Sequence, residues 1–420
     1  MKVWILQTGE PLHCDKGLPR PMRAMNLADA LVARGHDVLL WSSGFYHQEK
    51  RHRCKEFETY VVNDRLAINL VPSIGYSRNI GFWRLFDHAQ LAWRLSKLLK
   101  TGRFLAPDVA FVGYPPIETA SIMLSWLNKR NIPSVIDVKD QWPSLFLEPF
   151  PKIIRPLIKI LLGIYFYYGR RALNHASAFT TMSNGYLKWM SIFSGRSLHN
   201  YDSVIPLTVR KNTYSENELI EAEEWWNERG VSTSTNRRFC FIGSFMSVFD
   251  FSVIRDAASR FQREGIDCQF VICGDGGSAE DIRSIMKGLD NVIFPGWIDG
   301  PKIAVLAKCS RGSLIPYKNI ENFTLNTPNK VIDALAHAMP IITTLMGEVE
   351  SIVVKEKVGF ACNSNTNLQF FDAMNSLLND EDLYANMSRS AQSLYDIRFS
   401  LDKVYGELVD LLERLANDEK

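Results

Sequence analysis

The 420-residue chain is 46% hydrophobic and 22% charged, which is enough apolar material for two or three buried cores. A formal net charge of +2 excludes a dedicated nucleic-acid binder, whose domain would carry a clearly basic face. Seven cysteines, scattered and mostly set in apolar runs such as RFCFIG and CQFVICG, exclude a disulfide scaffold and read as reduced core residues of a cytosolic protein. None has zinc-ligand spacing, so no metal is expected.

The opening run MKVWIL is too short for a signal peptide and leads directly into a Gly- and Pro-bearing loop, so a first buried strand is expected, with nothing cleaved. After the loop from Thr8 to Pro21 comes a helix over 22–34, stopped by Gly35, and then the strand DVLLWSS, which completes one βαβ unit. The runs YVVND, LAINLVP, DVAFVGY, SVIDVKD and AFTTMS come next as strands, separated by helices at 82–99 and 117–130. The longest apolar stretch, IIRPLIKILLGIYFYY from Ile153 to Tyr168, is interrupted by Arg155, Pro156 and Lys159 and falls short of the roughly 20 residues that span a bilayer. With Arg170 and Arg171 behind it, it fits either a helix lying in an anionic membrane surface, which would make 153–171 a peripheral contact, or a buried core helix. Residues 209–235 are polar and charged and read as a linker carrying a short helix at 216–229. A second alternating set begins at FCFIGSF and runs through CQFVICGDGG, NVIFPGW, RGSLIPY, PIITT and VGFACN. The expected architecture is α/β, with two doubly wound, parallel-sheet, Rossmann-like domains at 1–208 and 236–396 and a terminal helical segment, 397–420, packing back on the first.

Several strand ends and one helix start carry chemistry. In NTPNKVIDALAHAMP, Thr327 is placed to cap a helix and Pro328 to occupy its first position, so the NH groups of Asn329 and Lys330 form an anion site, with Asp333 one turn on for hydroxyls such as those of a ribose. The plain alternative is a capped helix with Lys330 and Asp333 on its wet face. Gly243 and Ser244 end one strand, and Gly274, Asp275 and Gly276 end the next as nucleotide contacts or as a tight turn. The loop LHCDKGLPRPMR lacks the three glycines of a dinucleotide fingerprint and reads as a stiff loop around Gly17, Pro19 and Pro21, for a second substrate or as a simple turn. In DVKDQWP the alternation sets Asp137 and Lys139 opposite Val138 and Asp140, and Asp140 at the strand end is the candidate to orient or deprotonate a hydroxyl, or else to cap the next segment. The histidines are isolated, and neither a Walker A nor an HExxH motif is present.

In order and spacing, RAMNLADALVARGHDVLLWSS, DVKDQWP, FTTMSNGYLKWM, CGDGG with NVIFPGW, and TPNKVIDALAHAMPIITT resemble the retaining GT-B glycosyltransferases of family four, especially bacterial enzymes that build surface polysaccharides. The resemblance covers nearly the whole chain. It implies two domains facing a cleft, with a nucleotide sugar, expected to be UDP-linked, on the second and a lipid-linked or saccharide acceptor on the first. Gly243, Ser244, Gly274, Asp275 and Gly276 would face the donor, Asn326, Thr327, Pro328, Asn329 and Lys330 its diphosphate, and Asp333 the ribose. Gly17, Arg20 and Trp142 would face the acceptor, with Asp140, Lys139 and Lys330 catalytic and no metal or other cofactor. The chain departs from the family in three places: Leu325 and Asp333 stand where two glutamates are common, with Glu321, Asn322 and Asn326 nearby; Lys139 stands where a His usually precedes the Asp; and SFMSVFDF lacks a basic residue. A nucleotide-sugar epimerase of similar double-Rossmann form and a degenerate transferase serving as a scaffold are the competing readings. A cytoplasmic location, at the inner face of the cytoplasmic membrane, is expected.

Overall fold

The computed structural model describes residues 1–17, 20–78, 81–362 and 367–418. The chain divides into two compact units, Met1–Ile205 with Tyr405–Lys420, and Pro206–Val404.

The first unit is built on eight strands: β1 (Lys2–Leu6), β2 (Asp37–Ser43), β5 (Glu58–Asn63), β6 (Leu66–Val71), β7 (Val109–Tyr114), β8 (Ser134–Val138), β9 (Ala178–Thr181) and β10 (Ser203–Val204). A small ribbon, β3 (Phe45–Tyr46) with β4 (Arg51–His52), stands apart from them. The sheet order is β10-β9-β8-β7-β1-β2-β6-β5, parallel except for the β5–β6 pair at the edge. Val3 of β1 lies beside Val38 on one side and Val109 on the other, so the winding direction reverses between β1 and β7. The near-continuous apolar runs of β1 and β7 suit strands covered on both faces. The covering helices are α1 (Arg23–Ala33), α2 (Phe82–Lys100), α3 (Ile117–Asn128), α4 (Arg155–Leu161), α5 (Gly163–His175) and α6 (Asn184–Ser194). In the core Trp4 stacks on Trp126 at 5.1 Å and meets Trp41 at 5.2 Å.

The stretch 153–168 is not the core helix that one reading offered. α4 buries none of its side chains, and α5 buries only Phe166, Gly169, Ala172 and Leu173. Among the described residues, no helix is long and apolar enough to cross a membrane.

The second unit carries the sheet β13-β12-β11-β14-β15-β16, all parallel. Its strands are β11 (Arg238–Ile242), β12 (Gln269–Cys273), β13 (Val292–Gly296), β14 (Gly312–Ile315), β15 (Ile341–Thr343) and β16 (Gly359–Ala361). Here the reversal falls between β11 and β14. The helices include α7 (Glu216–Asn227), α8 (Ser252–Arg263), α9 (Ala279–Ile285), α10 (Gly300–Lys308), a short α11 (Glu321–Thr324) and α12 (Asn329–Ala336). They continue through α13 (Glu348–Lys355), α14 (Asn367–Asn379), α15 (Glu381–Leu394) and α16 (Leu401–Asp418).

Residues 209–235 differ from the expected linker, because they belong to the second unit. Trp226 of α7 is fully buried, and its indole NH donates to the Lys302 carbonyl of α10 at 2.9 Å. One large aromatic anchor outweighs the charged composition that surrounds it. From Tyr405 onward α16 belongs to the first unit, where His36 pairs with Glu413 at 2.7 Å and Asn26 donates to Tyr405 at 3.4 Å.

Candidate active site

In each unit the distinctive side chains gather where the sheet reverses, at the C-terminal strand ends, as open α/β sheets favour. In the first unit this is a cavity of about 210 Å³, floored by Glu10 after β1 and by Lys139 and Asp140 after β8, with Arg84 and His88 of α2 on its wall.

Glu10 is 3% exposed. Its Oε2 accepts from the backbone NH of Ala24 in the first turn of α1 at 2.8 Å, and its Oε1 accepts from Gln7 Nε2 at 2.9 Å and from Lys139 Nζ. The positive end of α1, a potential phosphate seat, is therefore filled by the protein's own carboxylate. Lys139 lies between two carboxylates: burial pushes its ammonium down to about 7, while Asp140 pulls it back up. Burial pushes Asp140 up to about 6, against Lys139 and Arg84. A carboxylate and an ammonium that both titrate near neutrality are suited to proton transfer.

The alternation expected along DVKDQWP stops at Val138, where β8 ends. Asp137 is fully buried, accepts from Thr180 at 2.9 Å and lies 3.2 Å from Arg23 Nε, so it is structural, whereas Lys139 and Asp140 both reach the cavity. Trp142 is 8% exposed and lies behind the cavity, its ring 5.1 Å from the Arg84 guanidinium and 4.6 Å from Phe146. Gly17 and Arg20 are exposed and do not line the cavity, and Pro19 of that loop lies outside the described residues. His47 Nδ1 is 2.6 Å from the Tyr76 hydroxyl and 3.1 Å from Lys50 Nζ. An ammonium can only donate, so this nitrogen accepts and the ring is neutral. Burial, then Lys50 and Arg84, push His47 down to about 4; burial, then Arg84 and His47, push His88 down to about 3.

Glu10, Arg84 and His88 escaped the sequence reading. The available signals were a carboxylate placed directly after the first strand, and polar residues recurring at 84, 87 and 88 on the inner face of an amphipathic helix.

In the second unit three glycines are required by geometry. Gly243 (φ +145) donates to the Cys273 carbonyl at 3.0 Å, and a Cβ there would strike the Lys330 amine. A Cβ on Gly274 (φ +134) would strike the Gly243 carbonyl, and one on Gly276 (φ +151) would meet the Phe245 carbonyl at 2.6 Å. Lys330 donates to the Ile242 carbonyl and lies 4.2 Å from the Phe241 ring centre. Burial pushes it down to about 8, against Asp333. Gly243, Gly274, Gly276 and Lys330 thus form one cluster at the β11 and β12 ends, with Ser244 exposed beside it. The Asp275 carboxylate is engaged locally, accepting from Gly276 NH at 2.9 Å and lying 3.8 Å from Arg283.

The expected cap differs. Pro328 (φ −65, ψ 153) is itself the N-cap of α12, and no side chain caps this start. Thr327 is 2% exposed, and its NH donates to Asn326 Oδ1 at 2.6 Å, which turns Asn326 to local use. The extended proline shifts the start to Asn329, so an exposed Asn329 and the Lys330 amine define the helix end. Asp333, half-buried one turn on, acts on both Lys330 and Tyr317.

The sequence model described as Glycosyltransferase Family 4 matches residues 22–191, and that described as Glycosyl transferases group 1 matches residues 236–380. The chain is a family-four glycosyltransferase with a GT-B fold. The O-antigen chain mannosyltransferase C of Escherichia coli is 24% identical over 235 residues, 54% of this chain and 59% of that protein. The alpha-D-kanosaminyltransferase of Streptomyces kanamyceticus is 23% identical over 164 residues, 38% of this chain and 41% of that protein. The chain therefore spans about half the length of these curated relatives. Among solved structures, sucrose-phosphate synthase from Thermosynechococcus elongatus superposes with a TM-score of 0.70 at 11% identity, covering 99% of this chain and 98% of the other. Anabaena HepE in complex with UDP-glucose gives 0.64 at 14%, over 99% and 100%. WaaG, a glycosyltransferase involved in lipopolysaccharide biosynthesis, gives 0.64 at 12%, over 98% and 99%.

Proposed function

We propose that this glycosyltransferase moves a sugar from a UDP-linked donor to a lipid-linked or saccharide acceptor, with retained anomeric configuration, in the assembly of a bacterial surface polysaccharide at the inner face of the cytoplasmic membrane. The observation that carries the donor assignment is the contrast between the two units. The start of α1 is already plugged by Glu10, whereas the start of α12 has no side-chain cap and carries Lys330 among glycines. An anionic diphosphate is favoured at the second and disfavoured at the first. The O-antigen mannosyltransferase and WaaG among the similar proteins support the polysaccharide setting, and the UDP-glucose complex of HepE supports uridine.

In the proposed reaction the anomeric C–O bond to the diphosphate breaks, and its electron pair goes to the phosphate oxygen. The acceptor hydroxyl forms the new bond from the same face, and its proton passes to the departing phosphate. Lys330 and the α12 NH groups stabilise the leaving diphosphate without a metal. Asp333 takes the ribose hydroxyls, and Asp140, with Lys139 beside it, orients the acceptor hydroxyl. The family matches do not favour the epimerase reading.

A thermal-shift screen against UDP, GDP, ADP and their sugars, followed by transfer to a lipid-diphosphate sugar and NMR of the new linkage, tests this. A UDP-selective shift and a retained anomer are expected. No shift with any nucleotide and no nucleoside diphosphate release would overturn it in favour of the scaffold reading.

A further inference from the structure

We propose that His47 and His88, on either side of Tyr76, form a hydroxyl-recognition subsite for the acceptor sugar, with one imidazole fixed as a hydrogen-bond donor and the other as an acceptor. The assignment rests on the acceptor reading above and adds what the cavity selects. All three side chains line the first-unit cavity. The Tyr76 ring centre lies 5.6 Å from that of His47 and 6.1 Å from that of His88. Phe45, 5.1 Å from Tyr76, gives the same wall an apolar patch for ring carbons.

Each tautomer follows from what stands behind the ring. His47 Nδ1 accepts from the Tyr76 hydroxyl at 2.6 Å and from Lys50 at 3.1 Å, so the ring proton sits on Nε2, the nitrogen left for the cavity. His88 is 5% exposed, and its Nδ1 is buried with no hydrogen-bond partner among the described residues. The Glu118 carboxylate lies 3.9 Å from that atom, too far for a hydrogen bond but close enough to hold the ring proton on that side, since a lone pair there would face negative charge. Burial pushes Glu118 up to about 6, against its own backbone NH, the Tyr165 hydroxyl and Arg84, so it is ionised at pH 7.5. The His88 lone pair is then on Nε2. Both rings stay neutral, because burial is joined in each case by the positive charge of Arg84.

A group that serves both nitrogens must accept as well as donate. A hydroxyl does both. A carboxylate or phosphate would set a lone pair against that of His88, and an ammonium would set a proton against that of His47. With no bond on Nδ1, Nε2 is where the buried His88 ring can be satisfied, and a hydroxyl in the cavity supplies the missing donor. Asp140 takes the reacting hydroxyl from the cavity floor, and the histidine wall reads another hydroxyl of the same sugar ring. Lys50 and Glu118 are positioning residues, since each acts on the ligand only through the imidazole in front of it.

Nitrogen NMR of the histidine-labelled full chain at pH 7.5, titrated with methyl glycosides of the common hexoses, tests the subsite without nucleotide or transfer. His47 should carry its proton on Nε2 and His88 on Nδ1, and at least one glycoside should shift both resonances. Among monodeoxy analogues of that glycoside, one should bind at least about tenfold more weakly, because it leaves both nitrogens unpaired. The corresponding deoxyfluoro sugar, which accepts but cannot donate, should keep the His47 shift and lose that of His88. His47→Gln keeps an NH in place of Nε2 and should bind within about threefold of wild type, whereas His47→Leu should bind about tenfold more weakly. Glu118→Gln should move part of the His88 proton to Nε2, a spectral change that a merely structural role would not produce. The converse tautomer or a charged ring at either position would overturn the proposal, and so would a glycoside panel that shifts neither ring. UDP affinity should be the same in every variant, so glycoside binding can fail while the donor reading stands, or the reverse.

Discussion

Lys330 offers the sharpest test of the donor site. Its ammonium is held against the Ile242 carbonyl, in space that only a glycine at position 243 leaves open. A charged hydrogen bond to a phosphate oxygen contributes about 1.5–3 kcal/mol, so Lys330→Ala should weaken nucleoside-diphosphate binding about 10- to 150-fold. The fold should tolerate the change, because the variant loses one hydrogen bond but also a cation whose burial is unfavourable. The sign of the pH dependence follows from the lowered value of about 8 in the unliganded protein. Below 8 the amine is charged and binds; above it, binding must first recover a proton, so affinity should fall by up to about tenfold per pH unit. The diphosphate itself titrates near 6 and contributes nothing to that limb. Calorimetric titration of UDP from pH 7 to 9.5 should therefore show a break near 8 in the wild type and none in Lys330→Ala. Lys330→Arg should also bind weakly, since a planar guanidinium does not fit the space behind Gly243, but without the break. A folded Lys330→Ala protein that binds UDP within about twofold of wild type, or a wild-type profile that is flat across 8, would refute the reasoning.

Three further outcomes are expected. Asp140→Asn should cut transfer at least about tenfold while sparing UDP affinity; because burial raises Asp140 from 3.8 to about 6, the wild-type rate should fall as pH drops through 6. The same shift means that the ionised form destabilises the fold above pH 6, so Asp140→Asn should be more stable at pH 7, by up to about 3 kcal/mol in chemical denaturation. Glu10→Gln keeps an acceptor for Ala24 NH but strands Lys139 without its closest counter-charge, and should cost about 3 kcal/mol in the same measurement; an unchanged midpoint would remove Glu10 from that role. Gly274→Ala, with φ +134 and the Gly243 carbonyl where its Cβ must go, should lower stability by about 1–3 kcal/mol and displace Gly243, so UDP binding should weaken even at temperatures where the protein stays folded.

The alternation of apolar strands and amphipathic helices was legible because burial on both faces writes itself into composition: Val38, Val109 and Val135 sit in runs that could be little else. The start of α12 was legible too, since a proline suits the beginning of a helix, where its missing NH costs nothing. What the sequence concealed was long-range pairing. Nothing local to Glu10 announces that Lys139, 129 residues on, will meet it, and nothing in DVKDQWP says that the strand stops at Val138 and brings Lys139 to the same cavity as Asp140. The packing of Arg84 and Phe146 on the Trp142 ring was concealed for the same reason, since Arg84 lies far away in the sequence. Thr327 misled because the extended backbone of Pro328 moves the helix start past it.

A reversal of winding direction occurs in each of the two sheets, yet the two reversal points are prepared for different chemistry, and the difference lies in how each handles one helix terminus. In the first unit Glu10 neutralises the α1 end and leaves the cavity with Lys139 and Asp140 tuned by burial to about 7 and about 6, suited to holding or moving a proton. In the second unit no side chain caps α12, three glycines bring backbone close, and the buried charge is a cation. Phosphate recognition needs positive ends left uncapped, whereas proton handling at a hydroxyl needs them filled, because a neighbouring helix dipole would hold Asp140 ionised at the pH values where its tuned proton affinity is useful. Exchanging the two preparations should therefore fail in both directions. Opening α1 by Glu10→Ala should lower the Asp140 limb of the pH–rate profile below 6 without creating a second UDP site, because among the described residues of the first unit no lysine amine stands against a glycine as Lys330 does. A second UDP site in that variant, detected as a binding stoichiometry above one, would show that the helix end alone suffices and that the glycine–lysine cluster is dispensable.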